Sequence, residues 1–278
     1  MNNIILQLCK IPGDSVSFVR EIIGKKYLIY ELVKRDFTQR FVGSWLGIFW
    51  AFVEPLVMVL VFWLVFGGVF RGKGEVDSVP YILWLLPALI SWNYFSDVFS
   101  SGTGSIRAFS FLVKKVDFKL SILPIVKICS SLILHAIFLL IAVCFLFAYG
   151  SFPTFYWFQM LYYLLAMTLF LLGLTWMTSS ISLFVKDVQN IVGIILRVGF
   201  YGTPVFWNIE IVPVKYQFLF KLNPLFYIVE GYRNSFVYGK GFWHEPLQTA
   251  YFWGVTFLCI AGGVFVYRKL RPHFADVV

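Results

Sequence analysis

Four ionisable residues stand inside long apolar runs: Glu54, Asp97, Lys127 and Arg197. A charge in hydrocarbon is costly, so each is expected to pair, to face water or to carry function. Glu54 or Asp97 could neutralise Arg197 or Lys127 across a bundle interior. Asp97 and Lys127 also lie near enough to the ends of their runs to reach headgroups. Glu54, followed by Pro55, is the one acid set deep enough for proton coupling. It has no second acid or histidine relay beside it.

Other chemistry is not suggested. The chain contains no GxxxxGK[ST] phosphate loop, so it is not expected to bind ATP in the usual way. HExxH and GxSxG are missing as well. His135, His244 and His273 are far apart, and Cys9, Cys129, Cys144 and Cys259 form no CxxC. Neither a metal site nor a disulfide framework is expected. The residues describe a conduit rather than an enzyme, with no catalytic constellation and no cofactor of its own.

Aromatic side chains follow the apolar runs. Trp50, Trp92, Tyr94, Tyr201, Phe206 and Trp207, with Trp63, Trp84, Tyr163 and Trp176, offer flat faces that can stack on the C–H faces of sugar rings. Lipid contact and core packing are the plainer uses of the same side chains. The first six, together with Arg197, are the candidate lining of a translocation path.

The elements that must position these residues are membrane helices. Of 278 residues, 60% are apolar and 13% charged, and the mean hydropathy is +0.81. A soluble domain could not hide that much apolar surface, so the bilayer is the solvent. At about 20 apolar residues per crossing, six spans are predicted: Trp45–Phe70, Val79–Phe99, Leu120–Tyr149, Phe155–Phe184, Val188–Phe206 and Thr249–Tyr267. The fold expected is all-α and polytopic, with a segment over residues 1–44 ahead of a transmembrane domain over 45–278. Ile4–Leu8 is too short for the core of a cleavable signal, and Asp14 and Glu21 follow it.

Lysine and arginine set the orientation. Lys10, Arg20, Lys25, Lys26, Lys34, Arg35 and Arg40 precede the first span. Arg107, Lys114, Lys115 and Lys119 follow the second, Lys186 the fourth, and Arg268, Lys269 and Arg271 the last. Fewer lie on the other side, so both termini are expected in the cytoplasm. The net charge of +9 is then assigned to inner loops and anionic headgroups rather than to nucleic acid.

Two segments are not simple spans. Val16, Val19, Ile23, Tyr27, Tyr30, Val33, Phe37 and Phe41 recur at steps of three or four, with Arg20, Lys26, Lys34 and Arg35 on other faces. That pattern suits an amphipathic helix in the inner headgroup layer. Trp207–Leu247 carries Pro213, Pro224 and Pro246 between short apolar pieces and reads as re-entrant or interfacial helices before the last span.

Several motifs together resemble one family. Lys34-Arg35-Asp36-Phe37, Arg40, Ser44-Trp45-Leu46-Gly47, Trp50 and Pro55 come first. Phe111-Leu112-Val113-Lys114-Lys115-Val116 and Ile122-Leu123-Pro124 follow, then Asp187, Thr203-Pro204-Val205-Phe206, Asn223-Pro224, Tyr232-Arg233 and the tail Arg271-Pro272-His273-Phe274-Ala275-Asp276. In order and spacing, over about residues 25–278, they resemble the transmembrane subunits of bacterial polysaccharide ABC exporters, the O-antigen, capsule and teichoic acid type. Lys119 stands where relatives commonly have proline.

The resemblance implies a homodimer working with two nucleotide-binding ATPase subunits, with ATP and Mg on those partners. It implies a glycan cargo on a lipid carrier such as undecaprenyl diphosphate, and a place in the bacterial inner membrane. Under it, Ile106, Arg107, Phe111, Leu112, Lys114 and Lys115 become candidates for docking the ATPase, apolar knobs beside a charged rim. Arg35, Asp36 and Arg40 become candidates for the interfacial helix and its lipid-headgroup contacts; Arg35, Arg40 and Arg107 suit a diphosphate. A permease for drugs or small lipids, an ion-coupled carrier and a membrane acyltransferase are the competing readings.

Overall fold

The computed structural model describes residues 24–65, 75–76, 79–110 and 120–274. Its helices are α1 (Lys26–Gln39), α2 (Trp50–Phe62), α3 (Tyr81–Thr103), α4 (Ser105–Ala108), α5 (Ile122–Ala148), α6 (Gln159–Phe184), α7 (Asp187–Gly202), α8 (Val214–Lys221), α9 (Pro224–Arg233) and α10 (Pro246–Leu270). Strand among the described residues is confined to Glu75–Val76 paired antiparallel with Val79–Pro80. Of the predicted amphipathic helix, Val16, Val19 and Ile23 lie outside the described residues, as do Phe111, Leu112, Lys114 and Lys115.

Five helical segments are long and apolar enough to cross a membrane: Gly47–Val65, Tyr81–Thr103, Ile122–Ala148, Phe155–Phe184 and Pro246–His273. They fall on five of the six predicted spans. The remaining one, predicted over Val188–Phe206, is the 16-residue α7, about 24 Å at 1.5 Å per residue. The chain leaves the helix at Thr203, whose φ of −102° and ψ of 138° are extended. Pro204 enforces this, because its ring disfavours helical geometry in the residue before it.

α3 is the hub. It packs against α5, α6, α7 and α9, and 83% of its apolar window is buried, against 11% for α2. Leu85, Leu86, Ala88 and Leu89 have no exposed surface. A second, smaller core closes the α1 end of the bundle, where Leu32, Ile106, Phe109, Ile122, Leu123, Val126, Leu183, Tyr267 and Phe274 meet.

The tightest helix pair is α6 with α10. A Cβ on Gly173 would lie 2.6 Å from the backbone of Cys259 and Ile260, and one on Gly263 would strike the Gly173 carbonyl oxygen. Lipid tails are as apolar as leucine, so helices in a membrane associate through such close packing rather than through hydrophobic burial. After α7, Asn223 caps α9 by accepting from the Leu225 N–H at 3.0 Å, with Pro224 at the first helical position. Its amide donates to Thr203 Oγ1 at 2.8 Å, which ties α9 back to the break after α7.

α1 buries one side against the bundle. Leu32 and Asp36 are its buried residues, whereas Tyr27 and Tyr30 are exposed.

Candidate functional site

Two buried charge clusters organise the bundle, one at each end. At the α1 end, Asp36 and Arg40 are four residues apart, as are Lys127 and Ser131 on α5. Residues four apart share a helix face, so two short polar ladders oppose each other. Lys127 Nζ donates to Asp36 Oδ1. Arg40 reaches on to α3, with Nη1 donating to both carboxylate oxygens of Asp97 at 2.9 and 3.0 Å. Its Nη2 donates to Ser131 Oγ at 3.3 Å and lies 3.7 Å from Asp36 Oδ2. Two carboxylates and two cations thus neutralise one another where Asp36 is only 4% exposed, the condition under which buried ions are tolerated. Lys127 Nζ also sits 5.4 Å from the Phe109 ring centroid.

The partners differ from those the sequence suggested. Asp97 and Lys127 do pair, but with Arg40 and Asp36 of the α1 segment, not with each other or with Arg197. The three residues read as headgroup contacts therefore divide: Asp36 and Arg40 bind the bundle, and Arg35 is exposed.

Beside this cluster, the Arg107 guanidinium donates to the Ser182 carbonyl, and Ser182 Oγ donates to the Thr103 carbonyl at 2.7 Å. Ile106 is fully buried in the small core. Of the candidate docking residues within the described chain, Arg107 and Ile106 are thus held against the bundle.

At the far end the organiser is Arg233, which has no exposed surface. Its Nη1 donates to Glu230 Oε1 at 2.5 Å, its Nη2 to the Val205 carbonyl at 2.7 Å and its Nε to the Trp84 carbonyl at 3.3 Å. The guanidinium carbon lies 3.4 Å from the Trp84 ring centroid, and the Trp84 N–H donates to Tyr238 Oη at 3.0 Å. One side chain therefore joins α9, α3 and the Thr203–Pro204 break through a cation–π stack and charge-assisted hydrogen bonds. Periodicity gave no sign of this role. The adjacent Tyr232-Arg233 pair in the family-like motif was the available signal, and Tyr232 Oη bonds His135 Nε2 at 3.3 Å.

The candidate path residues fall into two groups. Trp92 and Tyr94 are buried inside the protomer: Trp92 packs on Phe200 at 5.5 Å, and Tyr94 bonds Thr168 at 2.9 Å. Trp50, Arg197 and Tyr201 are exposed, Tyr201 by 67%. Phe206 and Trp207, half-buried, continue from Tyr201 as an aromatic terrace. Phe206 stacks on Phe200 at 5.5 Å, Trp207 meets Phe220 at 5.1 Å, and the Trp207 N–H donates to the Tyr201 carbonyl at 3.0 Å.

Apolar helices of spanning length, with ionic groups neutralised inside the protein, define a multi-pass α-helical membrane protein. The family described as ABC-2 type transporter matches residues 27–237, and the chain belongs to it. It is accordingly a membrane transport component rather than an enzyme. Among its relatives is an O-antigen export system permease protein RfbA of Klebsiella pneumoniae, 25% identical over 90% of this chain and 95% of the relative. A protein of the same name from Myxococcus xanthus is 28% identical over 95% of this chain and the whole of the relative.

Proposed function

We propose that this chain is the membrane subunit of an ATP-driven exporter. It moves a lipid-linked polysaccharide of O-antigen or capsule type, carried on undecaprenyl diphosphate, from the cytoplasmic to the outer face of the bacterial inner membrane. The observation that carries the proposal is the nearly end-to-end likeness to O-antigen export permeases. Two copies work with two ATPase subunits, which supply the ATP and Mg chemistry.

In this reading both termini are cytoplasmic, α7 and the Thr203–Phe206 segment make the sixth crossing, and α8 and α9 re-enter from the outer side. The Asp36–Arg40–Asp97–Lys127 cluster supports a coupling role: it bonds the α1 segment, on the ATPase side, to two spans at once. The exposed aromatics from Tyr201 to Trp207 suit the passage of sugar rings.

The test is deletion followed by localisation of glycan. Finished, lipid-linked polymer should accumulate on the cytoplasmic face, and a plasmid-borne copy should restore export. Unchanged surface glycan together with altered drug sensitivity would instead indicate a permease for small lipids or drugs.

A further inference from the structure

Among the described residues, two ionisable side chains well inside apolar helices stay unmatched within the protomer. Glu54 of α2 and Arg197 of α7 are both exposed, and neither has a hydrogen-bond or ion-pair partner among the described residues. Each belongs to an apolar stripe that the protomer leaves uncovered. Trp50, Glu54, Val57 and Val61 follow at steps of four, three and four, with Val61 53% exposed. Ile194, Arg197, Val198 and Tyr201 form the corresponding face of α7, with Val198 66% exposed.

Hydrocarbon is a poor neighbour for either charge, because a charged side chain in a span seeks a partner or water. Nor do the stripes cover each other. α2 packs on α5, whereas α7 packs on α3 and α6, so they occupy different flanks. A twofold axis removes both difficulties: whatever α2 of one copy meets on α7 of the other is met again in reverse.

The depths agree. The α2 span starts at Gly47 and α7 starts at Asp187, both at the α1 end. Along the helix axes Glu54 lies about 10 Å and Arg197 about 15 Å from those starts, a difference that an extended arginine bridges.

We infer that Glu54 of one protomer pairs with Arg197 of the partner subunit, so that two ion pairs seal the α2–α7 seam of a resting homodimer. The inference rests on the dimeric reading given above and adds its contact. The pair is opposite in charge, flanked by apolar side chains and excluded from water, conditions under which breaking one partner is far costlier than replacing both.

Two measurements on the full transporter with its ATPase test this. In a background with the native cysteines replaced by serine, differently tagged copies carrying Glu54→Cys and Arg197→Cys should join as a disulfide between copies. Glu54→Arg and Arg197→Glu should each reduce export about tenfold, and the double exchange in one chain should recover most of it. A dimer by native mass spectrometry with neither cross-link nor recovery overturns the pair and leaves the dimer standing. A membrane subunit found as a single copy in the active complex overturns both.

Discussion

Lys127 of α5 and Asp36 of α1 meet as a buried ion pair across 91 residues of chain. With Arg40 and Asp97 they join the first described helix to two membrane spans. Removing one member leaves a desolvated charge, which costs about 3–5 kcal/mol. Lys127→Met should therefore lower the thermal stability of the detergent-solubilised protein strongly. Combining it with Asp36→Asn should recover part of the loss, because Arg40 keeps Asp97 as its partner. Equal and additive losses would show that the pair is not coupled.

Arg233 should not tolerate lysine. A lysine keeps the charge but cannot both stack on Trp84 and donate to two carbonyls and Glu230. A desolvated cation–π contact is worth about 2 kcal/mol, and each lost charged hydrogen bond about 1.5–3 kcal/mol. Arg233→Lys should thus lower the melting temperature clearly and reduce export, read as surface glycan; a wild-type melting temperature would refute the assignment.

Neighbouring glycines on α10 should behave differently. A Cβ on Gly263 meets the Gly173 carbonyl oxygen, whereas one on Gly262 meets nothing within 4 Å. Gly263→Ala should destabilise by about 1–3 kcal/mol through overpacking. Gly262→Ala should be neutral or slightly stabilising, since alanine favours helix. Comparing the two melting curves checks the α6–α10 crossing directly.

The docking assignment predicts that Phe111→Asp with Leu112→Asp leaves the chain inserted but abolishes recovery of the ATPase by affinity purification. An acid in an apolar cleft is desolvated without a partner. Normal recovery would move the docking surface elsewhere.

Much of this architecture was legible because its signal is local. Phe155–Phe184 reads the same from apolar run length and from the fold, and the break after α7 follows from Thr203-Pro204. The partners of the in-span charges were not legible. Asp97 and Lys127 were marked by their apolar surroundings, but their partners Arg40 and Asp36 lie in a polar segment where charge carries no such mark. Arg233 was hidden for the same reason: one more arginine in a proline-broken segment, until the fold brings Trp84 beneath it. Trp92 and Tyr94 resemble Tyr201 in composition alone, and only packing separates buried rings from exposed ones.

The burial of α3 bears on how the chain is made. Its window has the lowest mean hydropathy of the five spans, 1.2 against 2.7 for α5, yet it is the most enclosed. Lipid by itself therefore offers this segment little, and its comfort in the bilayer comes from α5, α6 and α9, all synthesised after it. The centre of the bundle is therefore expected to reach its final packing only after those later helices have been made.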